Sequence, residues 1–227
     1  MSTQNKDIRT MGIILKRTNY GEFDRIINII TPVGKLSAIA KGVRKERSKL
    51  ASGIELFSLA EYNLHYGKKE LGIVTSVRLK SFYKAMITRY DYMELGGAIL
   101  KAVNRVSEHI NNPDFFEITR QCFEALDKGA KAELVGVWFW MNIAKASGDE
   151  VNLAMDSDGN KLVEGATYEW DDTENCFLKK VGGRFDTDRI KMLRLLVTFN
   201  LETMQKVKVS DDVFRDVLDF TKKMMYN

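Results

Sequence analysis

Residues 35–53 read KLSAIAKGVRKERSKLASG, a basic segment that lies between two apolar runs. In its first part, Leu36, Ala38 and Ala40 share one face and Lys35, Ser37, Ile39 and Lys41 share the other, which is the two-residue period of a β-strand. The apolar run that follows, residues 54–66, predicts a second long strand, with a bulge. Residues 41–53 contain five cations and one acid within nine positions and are too polar to be buried. The pattern predicts an exposed basic loop between two strands.

The cations of this loop suit a polyanion, above all the backbone of a nucleic acid. A loop that serves only solubility is the alternative. Four more cations lie in neighbouring predicted strands and could line the same face, while Tyr20, Phe23, Tyr62 and Tyr66 lie in or beside them. Flat rings can stack on bases, although in a small domain most rings belong to the core. The predicted DNA-binding residues are Lys16, Arg17, Arg25, Lys35, Lys41, Arg44, Lys45, Arg47 and Lys49.

Positive charge is concentrated in the first part of the chain. Residues 1–84 contain 16 Lys/Arg and 7 Asp/Glu, a net charge of +9, whereas residues 85–227 contain 19 and 24, a net charge of −5. The basic character therefore belongs to one region, as expected if that region meets a polyanion.

The same first part has the pattern of a small β-domain. Turn signals separate five predicted strands. In the fifth, Leu71, Ile73, Thr75, Val77 and Leu79 are predicted to share one face, and the other face is Gly72, Val74, Ser76, Arg78 and Lys80. Residues 67–70 predict the hairpin turn before it. Five short strands with glycine-rich turns predict an OB-type barrel, and a two-sheet sandwich is the alternative. The predicted strands are residues 11–16, 25–31, 35–43, 54–66 and 71–80.

From about residue 83 the apolar period changes to that of helices. Residues 92–110, 113–128 and 131–146 predict helices, the last apolar on every side and therefore central and buried. The pair Gly96-Gly97 predicts a close backbone approach. Two β-like pieces near residues 162–170 and 176–181 precede two final helices. The whole predicts an α+β protein, with a barrel domain at residues 1–82 and a mainly helical domain at residues 83–227 that contains a β-hairpin insert at about 150–183.

No catalytic motif is present in the sequence. It lacks a P-loop, a dinucleotide-binding glycine pattern after a strand and a G-x-S-x-G elbow. His65 and His109 are isolated, and Cys122 lies among apolar helix residues, which favours a structural role for each. We therefore predict that the protein is not an enzyme.

Cysteine usage and hydropathy predict a cytoplasmic protein. Cys122 and Cys176 are too few and too far apart for a disulfide framework. Residues 1–10 are polar, without the apolar core of a signal peptide. The apolar run at residues 134–144 is too short to span a bilayer and is interrupted by Asn142. We expect no membrane association.

The order of residues in the first part resembles the RecO family of bacterial DNA repair and recombination mediators, which act in the RecF pathway. The resemblance rests on GIILKR at residues 12–17, YGEFDRI at 20–26, TPVGKLSAIAKGVRK at 31–45 and SKL at 48–50. It implies an OB fold followed by a helical domain. It also implies binding to single- and double-stranded DNA, annealing of complementary strands, and work with a RecR-like partner, the tail of the single-strand binding protein and a RecA-like recombinase.

The second half departs from the family pattern. Residues 147–153, SGDEVNL, resemble a Gly-x-x-Pro-Asn-Leu segment with Val151 in place of proline. Many RecO proteins then contain two C-x-x-C pairs that bind zinc, whereas this region contains only Cys176. We therefore predict no zinc and no other cofactor. The β-like pieces, together with Gly182-Gly183, would hold this segment in place of the metal by packing aromatic rings on the helices.

Two other functions remain open from the residues alone. An OB barrel binds RNA as readily as DNA, so the chain could be an RNA-binding module. Alternatively, the basic loop could bind an acidic protein tail, and the chain would then be an interaction scaffold.

Overall fold

Five strands form the N-terminal part: β1 Lys6–Tyr20, β2 Asp24–Thr31, β3 Gly34–Ala40, β4 Ser58–Tyr66 and β5 Gly72–Phe82. In the computed structural model, which describes residues 6–68 and 70–226, they close into a barrel of order β1-β2-β3-β5-β4. β1 returns to pair with β4, and only β3 and β5 among these neighbours are parallel. The predicted five-stranded barrel is confirmed, and the two-sheet sandwich is excluded.

β1 is much longer than the predicted strand at residues 11–16. Its first half pairs with β4, from Lys6 opposite Tyr66 to Ile13 opposite Leu59, and its second half pairs with β2. Both ends of this strand are polar and exposed to solvent. Apolar periodicity therefore predicts only the buried middle of β1. The two ends are extended because their backbone pairs with β4 and β2, and this pairing leaves little apolar pattern in the sequence.

β4 begins at Ser58, four residues later than predicted. Ile54 is buried in the barrel core from a turn before the strand, and Phe57 has a left-handed φ of 58° that interrupts extended structure. The bulge predicted for this strand is wrong, because the register shifts beside Leu59 and Asn63 leave the extra residue in β5, while β4 pairs with β1 without interruption. The predicted hairpin turn at residues 67–70 includes Lys69, which lies outside the described residues.

The alternation predicted for β5 is wrong. Val74 and Ser76 pair with the consecutive residues Leu64 and Asn63, so that Thr75 has no opposite residue and forms a bulge. The bulge reverses the side-chain alternation, and Val74 and Val77 both pack on the barrel core. The extra residue shifts the alternation of side chains by one position, so the same alternation does not hold on both sides of the bulge.

The described chain divides into two compact units, Met1–Ala132 and Glu133–Asn227. β5 ends at Phe82, the predicted end of the barrel domain, but three helices group with the barrel: α1 Ala85–Thr88, α2 Tyr90–Val106 and α3 Asp114–Asp127. The second unit contains α4 Ala132–Ser147, β6 Tyr168–Asp171, β7 Cys176–Lys179, α5 Thr187–Thr198, α6 Leu201–Met204 and α7 Asp211–Tyr226. No helix among the described residues is long and apolar enough to cross a membrane.

Gly96 allows the helices of the first unit to pack against the barrel. A Cβ atom at this position would lie 2.2 Å from Met86 Cε and 2.9 Å from Phe57 Cε1, closer than atoms can approach. The ring of Phe57 also packs edge-on against Phe123 of α3. A close approach therefore occurs at Gly96, but it is made by side chains and not by the predicted second backbone, and a Cβ at Gly97 would meet open space.

The second unit has the predicted central helix and hairpin. Buried residues of α4 include Val135, Val137 and Ile143, which lie on more than one side of the helix. β6 and β7 pair antiparallel at shorter bounds than the predicted pieces, and their rings pack on α7. Five aromatic residues, which we call the aromatic cluster, meet there in a chain of mainly edge-to-face contacts: Tyr168, Trp170, Phe177, Phe185 and Phe220.

Candidate nucleic-acid interface

The segment at residues 41–53, here called the basic loop, is an ordered turn structure fixed to the barrel by apolar residues. Val43 and, just beyond the loop, Ile54 are buried in the barrel core, and Leu50 packs against the same core. Backbone hydrogen bonds from Ser48 N–H to the Lys45 carbonyl and from Gly53 N–H to the Leu50 carbonyl close successive turns. The loop is therefore ordered before it binds a ligand. Binding is favoured because little conformational entropy of the loop is lost when the ligand binds.

The five predicted cations of the basic loop are brought together and exposed. None of the ion pairs found within residues 6–68 and 70–226 involves their side chains. The loop's one acid, Glu46, is also exposed. These cations are not neutralised by the folded chain, and a phosphate backbone can reach them. They are Lys41, Arg44, Lys45, Arg47 and Lys49.

The basic loop is held against the β1–β2 turn, residues 20–23. Gly42, at a φ of 62°, donates its N–H to Asp24 Oδ1 at 2.7 Å, and Arg44 N–H donates to the Phe23 carbonyl at 2.9 Å. Arg44 Nη1 donates to the Gly21 carbonyl at 3.4 Å. The Lys45 ammonium lies 5.3 Å from the centroid of the Phe23 ring. Two segments that are distant in sequence therefore form one surface.

Sequence reasoning assigned no role to Asp24, whose carboxylate holds the start of the loop. A glycine in the left-handed region needs no Cβ space, but its N–H must still find an acceptor. Asp24 Oδ1, at the start of β2, supplies that acceptor just beyond the end of β3. The β2–β3 pairing, with Arg25 opposite Ala40, brings residues 24 and 42 together, but the sequence does not identify the side chain that accepts this N–H.

Arg17 and Arg25 lie at the far end of the basic loop, where both form ion pairs with Glu55. Arg17 Nη1 donates to Glu55 Oε2 at 2.6 Å and to the Ile54 carbonyl at 3.0 Å. Arg25 Nη1 lies 3.8 Å from Glu55 Oε1. This geometry makes the two arginines supports for the returning end of the loop, with Glu55 offsetting part of their charge.

Lys35 is directed away from the basic loop, to the end of α2. Its side chain is only 13% exposed, and its ammonium donates to the Asn104 carbonyl at 2.9 Å and lies 3.4 Å from Glu108 Oε1. A cation is favoured near a helix C-terminus, where carbonyls lack intrahelical partners. Lys16 differs, since it is exposed on β1 and takes part in no ion pair within the described part of the chain.

Two of the four predicted aromatic residues belong to the core. Tyr62 is fully buried and donates its hydroxyl to the Gly53 carbonyl at 2.8 Å, and burial raises the pKa of this phenol above its ordinary range. Tyr66 donates to the Ser37 carbonyl at 3.1 Å. Tyr20 and Phe23 remain exposed, at 56% and 39%, beside the basic loop.

The residues with metal-binding chemistry do not converge. No group of three or more His, Cys, Asp or Glu side chains in the described residues could hold a metal ion. Cys122 is completely buried, and desolvation raises the pKa of its thiol well above the ordinary value, which disfavours the thiolate that metals bind. His65 Nδ1 lies 2.7 Å from Asp7 Oδ1, an exposed pair on β4 and β1.

We expect purified protein to contain far less than one zinc ion per chain. A structural zinc site needs about four converging ligands, mostly Cys or His. Elemental analysis of protein prepared without chelators measures this directly, and EDTA should leave the melting temperature unchanged. One zinc per chain, or a large fall of melting temperature with EDTA, would contradict the prediction.

Family comparisons cover nearly the whole chain. The family model described as Recombination protein O N terminal matches residues 1–83, and the one described as Recombination protein O C terminal matches residues 90–226. Relatives named DNA repair protein RecO include one from Dehalococcoides mccartyi strain CBDB1, 27% identical over 95% of this chain and 88% of its own length. Another, from Roseiflexus sp. strain RS-1, is 36% identical over 56% of this chain and 44% of its own.

Proposed function

Because the chain belongs to the RecO family of DNA repair proteins, we propose that it is a non-catalytic DNA-binding protein of recombinational repair. It binds single- and double-stranded DNA, anneals complementary strands and helps to load a recombinase on coated single strands. The observation that supports DNA binding is the basic loop, whose five exposed cations are fixed on the barrel and have no ion-pair partner among the described residues.

The chemistry of the basic loop suits phosphate and not a particular base sequence. Lysine and arginine side chains neutralise phosphates and release condensed counterions, which supplies affinity without reading bases. Both strand states present phosphates, so the same cations bind either. When the protein neutralises phosphates of one strand, a complementary strand is repelled less, which favours annealing.

The nine residues predicted from the sequence divide into two roles. The five loop cations, with the exposed Lys16, contact phosphates. Arg17 and Arg25 hold the end of the loop through Glu55, and Lys35 attaches the β2–β3 turn to α2. This division follows from the partner that each cation has in the folded chain.

Family membership and the sequence support the remaining parts of the proposal. The protein acts in the cytoplasm without a cofactor or a catalytic centre of its own. Its protein partners are a RecR-like protein, the tail of the single-strand binding protein and a RecA-like recombinase.

We expect the affinity for single-stranded DNA to fall steeply with salt. If about four to six phosphates are engaged, the slope of log K against log[salt] should be about −3 to −4, since single strands give about −0.7 per phosphate. Fluorescence anisotropy with labelled oligonucleotides of several sequences, at a series of salt concentrations, measures it. RNA and an acidic peptide at matched salt are the comparison ligands. A slope near zero, or tighter binding of the peptide than of DNA, would overturn the proposed function.

A further inference from the structure

The ring of Tyr20 is exposed and unoccupied at the edge of the basic loop. Tyr20 is the last residue of β1, opposite Asp24 of β2, and Gly21 follows it at a φ of 56°. The backbone under the ring is therefore fixed by strand pairing. In the described part of the chain, no aromatic ring or cation packs on the Tyr20 ring. A single exposed tyrosine needs no explanation by itself, but Tyr20 also lies beside the cations of the basic loop.

Arg44 is a loop cation that contacts the turn directly after this tyrosine. Its Nη1 atom donates to the carbonyl of Gly21, the residue directly after Tyr20. A phosphate bound by Arg44 would lie beside the β1–β2 turn, and the base of that nucleotide or its neighbour could reach the ring. A charged group for the phosphate and a flat ring for the base are the two parts of a single-strand subsite.

Phe23, on the other side of the turn, has a different role. The Lys45 ammonium lies over its ring, and its carbonyl accepts the N–H of Arg44. One face of the ring is therefore occupied by the cation that it orients. Phe23 is a positioning residue for Lys45 and Arg44, whereas Tyr20 keeps its ring available.

We propose that Tyr20 stacks on one unpaired base, so that the surface formed by the basic loop and the β1–β2 turn distinguishes single strands from duplex. In a duplex each base is already stacked and paired, and exposing its face costs a few kcal/mol. The cations bind both strand states, but the ring contributes to single strands alone. This inference rests on the proposed DNA binding and adds the chemical class of one subsite, an unstacked nucleobase.

The test compares Tyr20→Ala with wild type in the full-length chain. Stacking on one base is worth about fivefold or more in affinity by alanine substitution. We expect Tyr20→Ala to weaken binding to a 20-nucleotide oligothymidine by at least about fivefold, and binding to a 20-base-pair duplex by less than about twofold. Tyr20→Phe keeps a stacking ring and should bind like wild type. Tyr90→Ala, which removes a 74% exposed tyrosine of α2, is the matched control and should change neither affinity.

An abasic strand of equal length gives a second readout that phosphate contacts alone would not produce. Wild type should prefer the oligothymidine to the abasic strand, and Tyr20→Ala should reduce this preference by about the factor lost on oligothymidine. Equal losses on single strand and duplex, or an unchanged preference over the abasic strand, would overturn the stacking role while leaving phosphate binding intact. If wild type binds neither strand state, the proposed function fails and this subsite fails with it.

Discussion

Changing Arg44, Lys45 and Arg47 together to alanine is expected to weaken DNA binding by about tenfold to a hundredfold near 0.1 M salt. Removing three phosphate contacts should also make the salt slope on single strands shallower by about 2, since each contact contributes about 0.7. The three side chains are exposed and take part in none of the ion pairs in the described part of the chain. Anisotropy titrations of single-stranded and duplex DNA at several salt concentrations give both quantities.

The loop itself should remain folded in this triple variant. Val43, Leu50, the Asp24 carboxylate and the backbone N–H of Arg44 still attach it to the barrel, and only the exposed 3.4 Å hydrogen bond from Arg44 Nη1 to the Gly21 carbonyl is lost. Loss of the Lys45–Phe23 contact costs only about 0.5–1 kcal/mol at an exposed site. The melting temperature should therefore change little, and a large fall would show that the cations support the fold.

A charge-matched variant separates the loop from net charge. Lys84, Lys101 and Arg105 are exposed on or beside α1 and α2 in the same unit, and their change to alanine removes the same three charges. We expect this control to bind within about threefold of wild type and to keep most of the salt slope. Equal losses in the two variants would mean that overall charge, and not the basic loop, governs binding.

The second large effect is expected for Phe220→Ala in α7, which should destabilise the Glu133–Asn227 unit by about 3–5 kcal/mol. Phe220 is only 2% exposed, and its ring lies 5.0 Å from that of Trp170 and 5.2 Å from that of Phe185. Truncation leaves a cavity at the point where the hairpin meets the helix. A loss of this size corresponds to more than about 10 °C in melting temperature for a unit of this length.

Tryptophan fluorescence reports on this unit alone, because all three tryptophans of the chain, Trp138, Trp140 and Trp170, lie in it. Urea denaturation followed at these residues reports the unfolding of this unit. Phe199→Ala is the control, since that side chain is 42% exposed and only its backbone carbonyl accepts the Trp138 indole N–H. It should cost less than about 1 kcal/mol. Similar losses in both variants would mean that the aromatic cluster is not what holds the hairpin.

The aromatic cluster also agrees with the packing predicted for this segment. Gly183 has a close approach to the hairpin, since a Cβ there would lie 2.5 Å from the Tyr168 carbonyl oxygen. Tyr168 and Phe185 exchange backbone hydrogen bonds of 2.8 Å in both directions across this approach. Arg189 adds ion pairs from α5 to Asp212 and Asp216 of α7. Packing, backbone pairing and charge thus act together to hold this segment.

The elements of the fold were largely determined by local sequence. Alternation in residues 35–40 and a period of 3.6 in the helices both indicate that one face of the element is buried. These patterns can be recognised within a short segment of sequence. Asp186 starts α5 because its carboxylate accepts the N–H of Arg189, three residues later. The exposure of the basic loop was likewise determined locally, since five cations within nine residues cannot be buried without partners.

Tertiary structure alone decided which cations are available. Lys35 and Arg47 look equivalent in sequence, but Lys35 finds Glu108 and the Asn104 carbonyl about 70 positions away, whereas Arg47 finds no ion pair among the described residues. Tertiary structure also decided that Tyr62 is buried and that Tyr20 is exposed, and it placed the bulge at Thr75. The physical reason is common to all of these: an ion pair, a core position or a strand register depends on a partner distant in the chain, and a local pattern contains no record of that partner.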